Sequence, residues 1–581
     1  MKALEFVPRS FKWAPPGVPS RYVSAKVVSI VVLLSVTALI LFTLVPRYSA
    51  FPSSIPLLNP EIHYEETFTL PVSAPNFSIP DVPALIAALQ RATAVASEGR
   101  DTTFSRKAKL QWHQEHPCRA RAELQPLYNL RRIVEDAAPN AKWESVFKEY
   151  ETLHRVCTQS VGGDLVDYFA TRGNTTNCRF LVAGIAPGAG LGNKMLSMVS
   201  GLLYAILTQR VFLIAADTLV PGILCEPFEG SQWLFDPQWK VTPEYAPGRQ
   251  QYWENKDEFY KEVDSALRGG EPVKSSIYGL VANDEWCQPG QRFFCSTEQS
   301  YYNLVPWVYI NGCFYFLPKL FAIPAFRPVL EDLFPDKLAL THLLRSAFLP
   351  SDEVWRRIDQ IHSLYLRNAD RRVGIQVRYR DGEKEFNITH KLIIDRVVKC
   401  ALENHILPAA GAKGVSDLNQ TLASKPRYQT SVFIASLYPS LHDSLGETYI
   451  RNPPEMEDVS IIQVTRGKEQ HFNDEEDKQA LAEIISLSFA DYLFVTPLST
   501  FGGMAQGYGA LLPWFIDNRP TSEGSCQRAQ TVDVCYQLPQ FIYNCPYEPD
   551  LDKQWVMSKV PYLKDCLPLD AKYGMQLITR N

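Results

Sequence analysis

Three stretches of this chain put glycines, hydroxyls and an arginine where they could hold an anionic ligand. The first is Gly188-Ala189-Gly190-Leu191-Gly192-Asn193-Lys194, between the apolar run Phe180–Ala183 and a segment whose Met195, Met198, Val199, Leu202, Leu203 and Ile206 repeat at helical spacing. Glycines let backbone approach a ligand closely, and a helix N-terminus aims free N–H groups at an anion. Asn193 is a residue type that caps such a helix, and Lys194 adds a positive charge. Read as a dinucleotide fingerprint, the same loop has Asp217 at the end of the following strand, where a ribose-binding carboxylate belongs. A tight strand-to-helix turn with no ligand is the structural alternative.

The second stretch is Val373-Gly374-Ile375-Gln376-Val377-Arg378-Tyr379-Arg380-Asp381. An arginine leaving the C-terminal end of a buried parallel strand stands where open α/β sheets bind ligands, and its planar fork can hold two phosphate oxygens. Arg378 is therefore a candidate pyrophosphate clamp, against a structural ion pair at a strand end. Gln376, two residues earlier, shares its face. The third stretch runs from Thr496 through Ser499-Thr500-Phe501-Gly502-Gly503 to Gly509. Ser499 is placed to cap a helix whose Thr500 and Phe501 N–H groups would meet a second phosphate, with Gly502 allowing close packing; an ordinary capped helix is the alternative.

The surrounding pattern alternates short apolar strands with helices: Val211–Ala215, Leu392–Leu402, Val432–Ala435, Ile461–Val464, Lys478–Ala490, Tyr492–Val495, Thr500–Gly509 and Trp514–Ile516. Such alternation predicts parallel sheets covered by helices on both faces. Two sets of these units, separated by an irregular aromatic region Ser231–Phe326, predict an α/β protein with two lobes and a cleft. Further helices are expected over Ala84–Ser97 and Leu127–Glu149.

Val27–Val45 carries no charge and no proline; at ~1.5 Å per residue it spans roughly 28 Å, the thickness of a bilayer core. Lys2, Arg9, Lys12, Arg21 and Lys26 precede it against Glu5, whereas only Arg47 is basic between its end and Arg91. This bias places the N-terminus in the cytosol and the remainder in the lumen. A cleaved signal peptide would have a shorter apolar core. The expected order is a cytosolic tail (1–26), a transmembrane signal anchor (27–45), a proline-rich stem (46–110), an N-terminal catalytic lobe (111–365) and a C-terminal lobe with a cysteine-rich tail (366–581).

All 12 cysteines lie at or beyond Cys118, which suits disulfides in an oxidising compartment. Cys526, Cys535, Cys545 and Cys566 are expected to staple a loop-rich tail. No C-x-x-C pair supports zinc. The sequons at Asn76, Asn174, Asn387 and Asn419 fall on the same lumenal side. A net charge of −5 offers no basic face for nucleic acid.

The segments Cys178–Val211, Val373–Asp381 and Ser499–Trp514 resemble, in order and spacing, the plant-type α-1,2-fucosyltransferase family whose founding activity is on xyloglucan. So do Cys225-Glu-Pro-Phe228, Phe293-Phe-Cys295, Gln299, Val305-Pro-Trp307 and Gly524-Ser-Cys526. The resemblance covers about residues 150–570. It implies a type II Golgi membrane enzyme with a GT-B-like pair of lobes, transferring L-fucose with inversion from GDP-fucose to a cell-wall or glycoprotein glycan, without a metal, in cell wall biogenesis. Galactose on xyloglucan, in α-1,2 linkage, and arabinose on arabinogalactan proteins both fit as acceptors, and a homodimer is left open. The implied donor-binding residues are Gly190, Gly192, Asn193, Lys194, Gln376, Arg378, Ser499, Thr500, Phe501 and Gly502, with Arg378 and Glu298 as catalytic residues. Glu298 stands where the family has an aspartate and would take the acceptor's proton; a solvated loop glutamate is the alternative reading. The chain departs from the family pattern at Lys194, where arginine is usual, and at Gly503, where an aromatic residue is common.

The only Asp-x-Asp is Asp550-Leu551-Asp552, in the cysteine-rich tail, so Arg378 and the helix N-termini are expected to supply positive potential instead of a metal. The aromatic residues Trp253, Tyr278, Trp286, Tyr301, Tyr302 and Trp307 could stack on sugars. Two rival functions remain at this point: a lumenal nucleotide-dependent oxidoreductase using the glycine loop and Asp217, and a non-catalytic glycan-binding relative.

Overall fold

A computed structural model describes residues 77–98, 118–160, 178–184, 189–215, 222–228, 230–231, 233, 260–269, 277–281, 289–303, 307–311, 315–378, 390–411, 427–466, 474–497, 499–516, 524, 526–535, 545, 553–566 and 575–578. The apolar stretch 27–45, the four sequon asparagines, Asp217 and Asp550–Asp552 lie outside these residues. Among the described residues no helix is long and apolar enough to cross a membrane.

The first sheet contains β1 (Phe180–Gly184), β2 (Val211–Ile214), β3 (Ile277–Val281) and β4 (Trp307–Asn311) in the order β2-β1-β4-β3, all parallel. Two of these strands come from the stretch expected to be irregular. β4 pairs with both β1 and β3 because Trp307-Val-Tyr-Ile is a β-branched and aromatic run suited to a buried strand.

The second sheet contains β5 (Arg371–Gln376), β6 (Tyr428–Ala435), β7 (Glu457–Gln463), β8 (Tyr492–Val495), β9 (Trp514–Ile516) and β10 (Cys526–Arg528) in the order β10-β9-β8-β5-β6-β7. Only the β9–β10 pair is antiparallel. A small antiparallel pair, β11 (Leu563–Asp565) with β12 (Met575–Leu577), forms in the tail. The α/β architecture with two parallel sheets matches expectation. The two halves nevertheless share one apolar core, which runs from Leu181 and Leu202 through Leu344 to Leu487 and Met504.

The helices that matter below are α1 (Val82–Glu98), α2 (Ala120–Tyr128), α3 (Ala141–Ser160), α4 (Leu191–Leu207), α5 (Ser296–Tyr302), α6 (Ala339–Ala347), α7 (Asp352–Ile361), α8 (His390–Glu403), α9 (Asp474–Ser488) and α10 (Thr500–Gly509). α1 falls within the expected stem but belongs to the folded body: Ile79 N–H donates to the Ala325 carbonyl at 3.1 Å and Val82 N–H to Asp332 Oδ2 at 3.1 Å. The single helix expected over Leu127–Glu149 is broken. Pro139 follows α2 and its turn, and Asn140 Oδ1 accepts from Trp143 N–H at 3.0 Å, starting α3 afresh. Every residue of α4 except Asn193 is buried, so this helix is apolar all round. Burying each of its large aliphatic side chains stabilises the fold by about 1.5–3 kcal/mol.

The disulfides correct the expectation for the tail. Only Cys535–Cys566 closes within it, whereas Cys400–Cys526 ties β10 to α8 and Cys295–Cys545 ties the tail to the turn before α5. Cys118–Cys225 and Cys157–Cys178 brace the N-terminal half. The remaining two cysteines, Cys287 and Cys313, lie outside the described residues.

Candidate active site

Strands β1 and β8 each deliver the chain into a helix, and the N-termini of those helices, α4 and α10, meet. A Cβ at Gly192 would stand 2.8–2.9 Å from Thr500 Oγ1, Cβ and carbonyl carbon. Glycine is thus required at 192 because one helix presses against the other. Gly190 has no atom within 4 Å of the equivalent point and opens onto free space. Gly190, with extended backbone, is the N-cap of α4 and offers no side chain; Asn193, expected as the cap, is the third residue of the helix. Ser499 does occupy the N-cap of α10, but its side chain accepts no capping bond. The first N–H groups of each helix have no intrahelical acceptor, so two positive helix ends converge here.

Arg378 arrives from the next strand. Its N–H donates to Thr496 Oγ1 at 2.9 Å, and Thr496 N–H donates to the Gln376 carbonyl at 3.1 Å, locking the ends of β5 and β8 together. Gln376 is 3% exposed. A Cβ at Gly502 would fall 2.9 Å from Gln376 Oε1 and 2.8 Å from Val495 Cγ1, so Gly502 makes room for the glutamine.

These pieces surround a cavity of about 180 Å³ lined by Gly190, Gly192, Gln376, Arg378, Thr500 and Phe501. Six of the sequence-predicted residues are therefore brought together. Asn193, Lys194, Ser499 and Gly502 do not line the cavity; Lys194 is buried at 8% exposure, and Gly502 supports the site through Gln376. Gly503, unusual in the family resemblance, has Val534 Cγ1 at 3.1 Å from its would-be Cβ, which occupies space that a larger side chain would need.

Glu298 is not a solvated loop residue. It sits on α5, fully buried, with Arg292 Nε donating to Oε1 at 2.9 Å and Arg292 Nη2 at 2.8 Å. Arg292 also donates to Asp264 at 2.8 Å. Burial opposes the Arg292 charge, but Asp264 and Glu298 outweigh it and raise its pKa. The adjacent Gln299 accepts from Tyr204 Oη at 3.0 Å, and Tyr204 lies twelve residues along α4 from Gly192, roughly 18 Å at ~1.5 Å per residue. The structure thus sets Glu298 in an ion pair toward the far end of α4, apart from the cavity residues. Tyr301 and Tyr302 are likewise buried.

The far end of α10 is held as firmly as its near end. Its last carbonyls, of Gly507, Tyr508 and Gly509, accept from Thr341 Oγ1 at 2.7 Å, Arg345 Nε at 2.7 Å and Arg131 Nη1 at 2.6 Å. Asp136 joins the two arginines at 2.7 and 2.8 Å. Cations at a helix C-terminus reinforce its dipole.

The sequence reading missed one wall of the cavity. Glu476, Asp477, Ala480 and Glu483 share one face of α9, and Ser436, Leu437 and Thr465 follow β6 and β7. The helix was expected only from Lys478, so Glu476 and Asp477 fell before it, and Glu483 lies in its interior.

A cavity at the C-terminal ends of parallel strands, between two α/β halves and bordered by Arg378 and two helix N-termini, is the arrangement expected of a GT-B-like glycosyltransferase. The sequence pattern of xyloglucan fucosyltransferases matches residues 114–546, and the chain belongs to that family. It is 30% identical over 458 residues to a galactoside 2-alpha-L-fucosyltransferase of Arabidopsis thaliana, covering 76% of this chain and 77% of that one. The enzyme of the same name from Pisum sativum is 30% identical over 451 residues, covering 76% of each. The solved structure of an Arabidopsis thaliana FUT1 mutant in complex with GDP is 26% identical, covers 83% of this chain and all of that one, and superposes with a TM-score of 0.64. The chain is a fucosyltransferase, which sets aside the oxidoreductase reading of the glycine loop.

Proposed function

We propose that the chain binds GDP-fucose in this cavity and transfers L-fucose, with inversion, to a galactose hydroxyl in α-1,2 linkage on a xyloglucan-type glycan. The convergence of two helix N-termini and Arg378 on one cavity carries this reading. The acceptor oxygen forms a bond to fucose C1 from the side opposite the diphosphate. The C1–O bond breaks, and its electron pair leaves with GDP. Negative charge therefore grows on the diphosphate as the transition state forms, where fixed N–H groups and a guanidinium stabilise it without reorganising. Positive charge grows on the sugar, so the hydroxyl proton is released late, to solvent or to the departing diphosphate, and needs no strong base. The names of the relatives support the galactose acceptor, and the GDP complex of the related structure supports the donor.

We place the reaction in the Golgi lumen, with residues 27–45 as a type II anchor. The charge bias around that stretch and the disulfides beyond it support this orientation. In sealed microsomes the C-terminus should be protected from protease and an N-terminal tag accessible; the reverse pattern contradicts the topology.

The functional test is an acceptor panel with GDP-fucose, followed by linkage analysis of the product. An α-1,2-fucosylated terminal galactose is expected, with turnover persisting in excess chelator. Activity lost to chelator and restored by manganese would contradict stabilisation by Arg378 and the helix ends. GDP binding without turnover on any acceptor would mark a glycan-binding relative instead of an enzyme.

A further inference from the structure

The last turn of α10 draws its donors from other parts of the chain. Ala510 ends the helix with left-handed backbone, φ 50°, and the Leu511 N–H turns back to the Gln506 carbonyl at 3.1 Å. The next carbonyls, of the buried Tyr508 and Gly509, are met by side chains: Arg345 of α6 through Nε at 2.7 Å, and Arg131 of the turn after α2 through Nη1 at 2.6 Å. Asp136 joins the two guanidiniums, 2.7 Å from Arg345 Nη1 and 2.8 Å from Arg131 Nη2, and Gln125 Nε2 donates to Asp136 at 2.6 Å. The same segment reaches α9, where Tyr128 Oη and Ser488 Oγ stand 2.9 Å apart. The Arg345 guanidinium carbon lies 3.7 Å from the centre of the Tyr128 ring.

Stability alone does not account for this arrangement. Arg131 is 7% exposed, and burial lowers its pKa against the pull of Asp136. Arg131 Nε and Arg345 Nη2 are buried with no hydrogen-bond partner among the described residues. One carboxylate serves two guanidiniums, so these three side chains keep an excess positive charge. Apolar residues in place of a buried ion cluster often stabilise a fold, and a glycine at 510 would relieve the left-handed alanine. What the cluster does supply is a fixed position for one end of a helix.

We propose that Arg345 and Arg131, joined by Asp136, are positioning residues for fucosyl transfer: they hold the far end of α10 so that its first N–H groups stay aligned on the leaving diphosphate. This rests on the donor assignment above and adds what keeps that wall of the cavity rigid. α10 has ten residues and is about 15 Å long. Its near end meets α4 where Thr500 presses on Gly192. A rod held at one end can tilt; held at both, it cannot. Donors that act on a growing charge must already be in place when it develops, so a tilt of α10 is felt most in the transition state.

The test measures kcat and calorimetric GDP affinity, each per folded molecule, for the full chain and three variants. Arg345→Met should lower kcat on the order of tenfold, part of what a displacement of about 1 Å costs, with GDP affinity within about threefold of wild type. Arg345→Lys keeps the charge and one donor and should restore most of the turnover. Asp136→Asn keeps both arginines and makes the cluster more positive. Positioning predicts that its kcat still falls, by about threefold, whereas an effect of charge alone would tighten GDP binding and spare turnover. This variant serves if Arg345→Met does not fold. A wild-type kcat in folded Arg345→Met or Asp136→Asn, or lysine no better than methionine at 345, overturns the positioning role and leaves the donor assignment standing. Absence of GDP binding to wild type overturns both.

Discussion

Arg378→Lys should lose activity on the order of 10²–10³-fold, the usual effect of removing one preorganised donor from a transition state, while melting close to wild type. Lysine keeps the charge but presents no fork, so this variant isolates bidentate geometry from charge. Arg378→Ala should be worse still, and the further loss measures the charge. The backbone of Arg378 is held through its own N–H by Thr496, and neither substitution touches that bond. GDP affinity should weaken in step with turnover. If Arg378 were instead a structural strand-end ion pair, both variants would melt early and GDP affinity per folded molecule would be unchanged.

Gly192→Ala should cost about 10²-fold in turnover through a different route. The new methyl would stand under 3 Å from the backbone and side chain of Thr500, so α4 and α10 must part. A displacement of about 1 Å at a site that works by fixed geometry is enough for such a loss. Overpacking of this kind typically destabilises by about 1–3 kcal/mol, partly offset by alanine's better helix propensity. Gly190→Ala is the control, since nothing lies within 4 Å of its added methyl: its melting temperature should match wild type. Equal turnover in Gly192→Ala and wild type would mean that contact between the helix ends is unimportant. The useful readout is turnover per folded molecule, because a packing defect alone shifts stability and leaves that ratio intact.

What the sequence made legible was the wall of the cavity formed by the two helix N-termini and the end of β5. Gly190, Gly192, Arg378, Thr500 and Phe501 each follow an apolar strand and precede or open a helix, Gln376 ends the strand before Arg378, and that pattern is readable along one dimension. The reason assigned to Gly192 was incomplete, since its neighbour is Thr500, more than three hundred residues away in sequence, and a contact of that kind leaves no local trace. The alternative reading of Glu298 as a solvated loop residue came from its polar neighbours Ser296, Thr297 and Gln299. Its burial depends on Arg292 and Asp264, a pairing that periodicity does not encode. The α9 acids Glu476 and Asp477 were missed because the helix was expected to begin at Lys478, and Glu483 because nothing local sets it apart from other helical glutamates. Strands β3 and β4 were hidden in an aromatic stretch, where short β-branched runs look like any core segment. Disulfide partners could not be read from spacing: the tail's Cys545 joins Cys295 across 250 residues.

The central claim is that one cavity, positive where α4, α10 and Arg378 meet, holds the leaving diphosphate. A structure of the chain soaked with GDP tests it most directly. The outer phosphate should lie within hydrogen-bond distance of the Arg378 guanidinium and of the Thr500 or Phe501 N–H. A diphosphate bound away from Arg378, or with its phosphates against Glu476 and Glu483, would contradict the account.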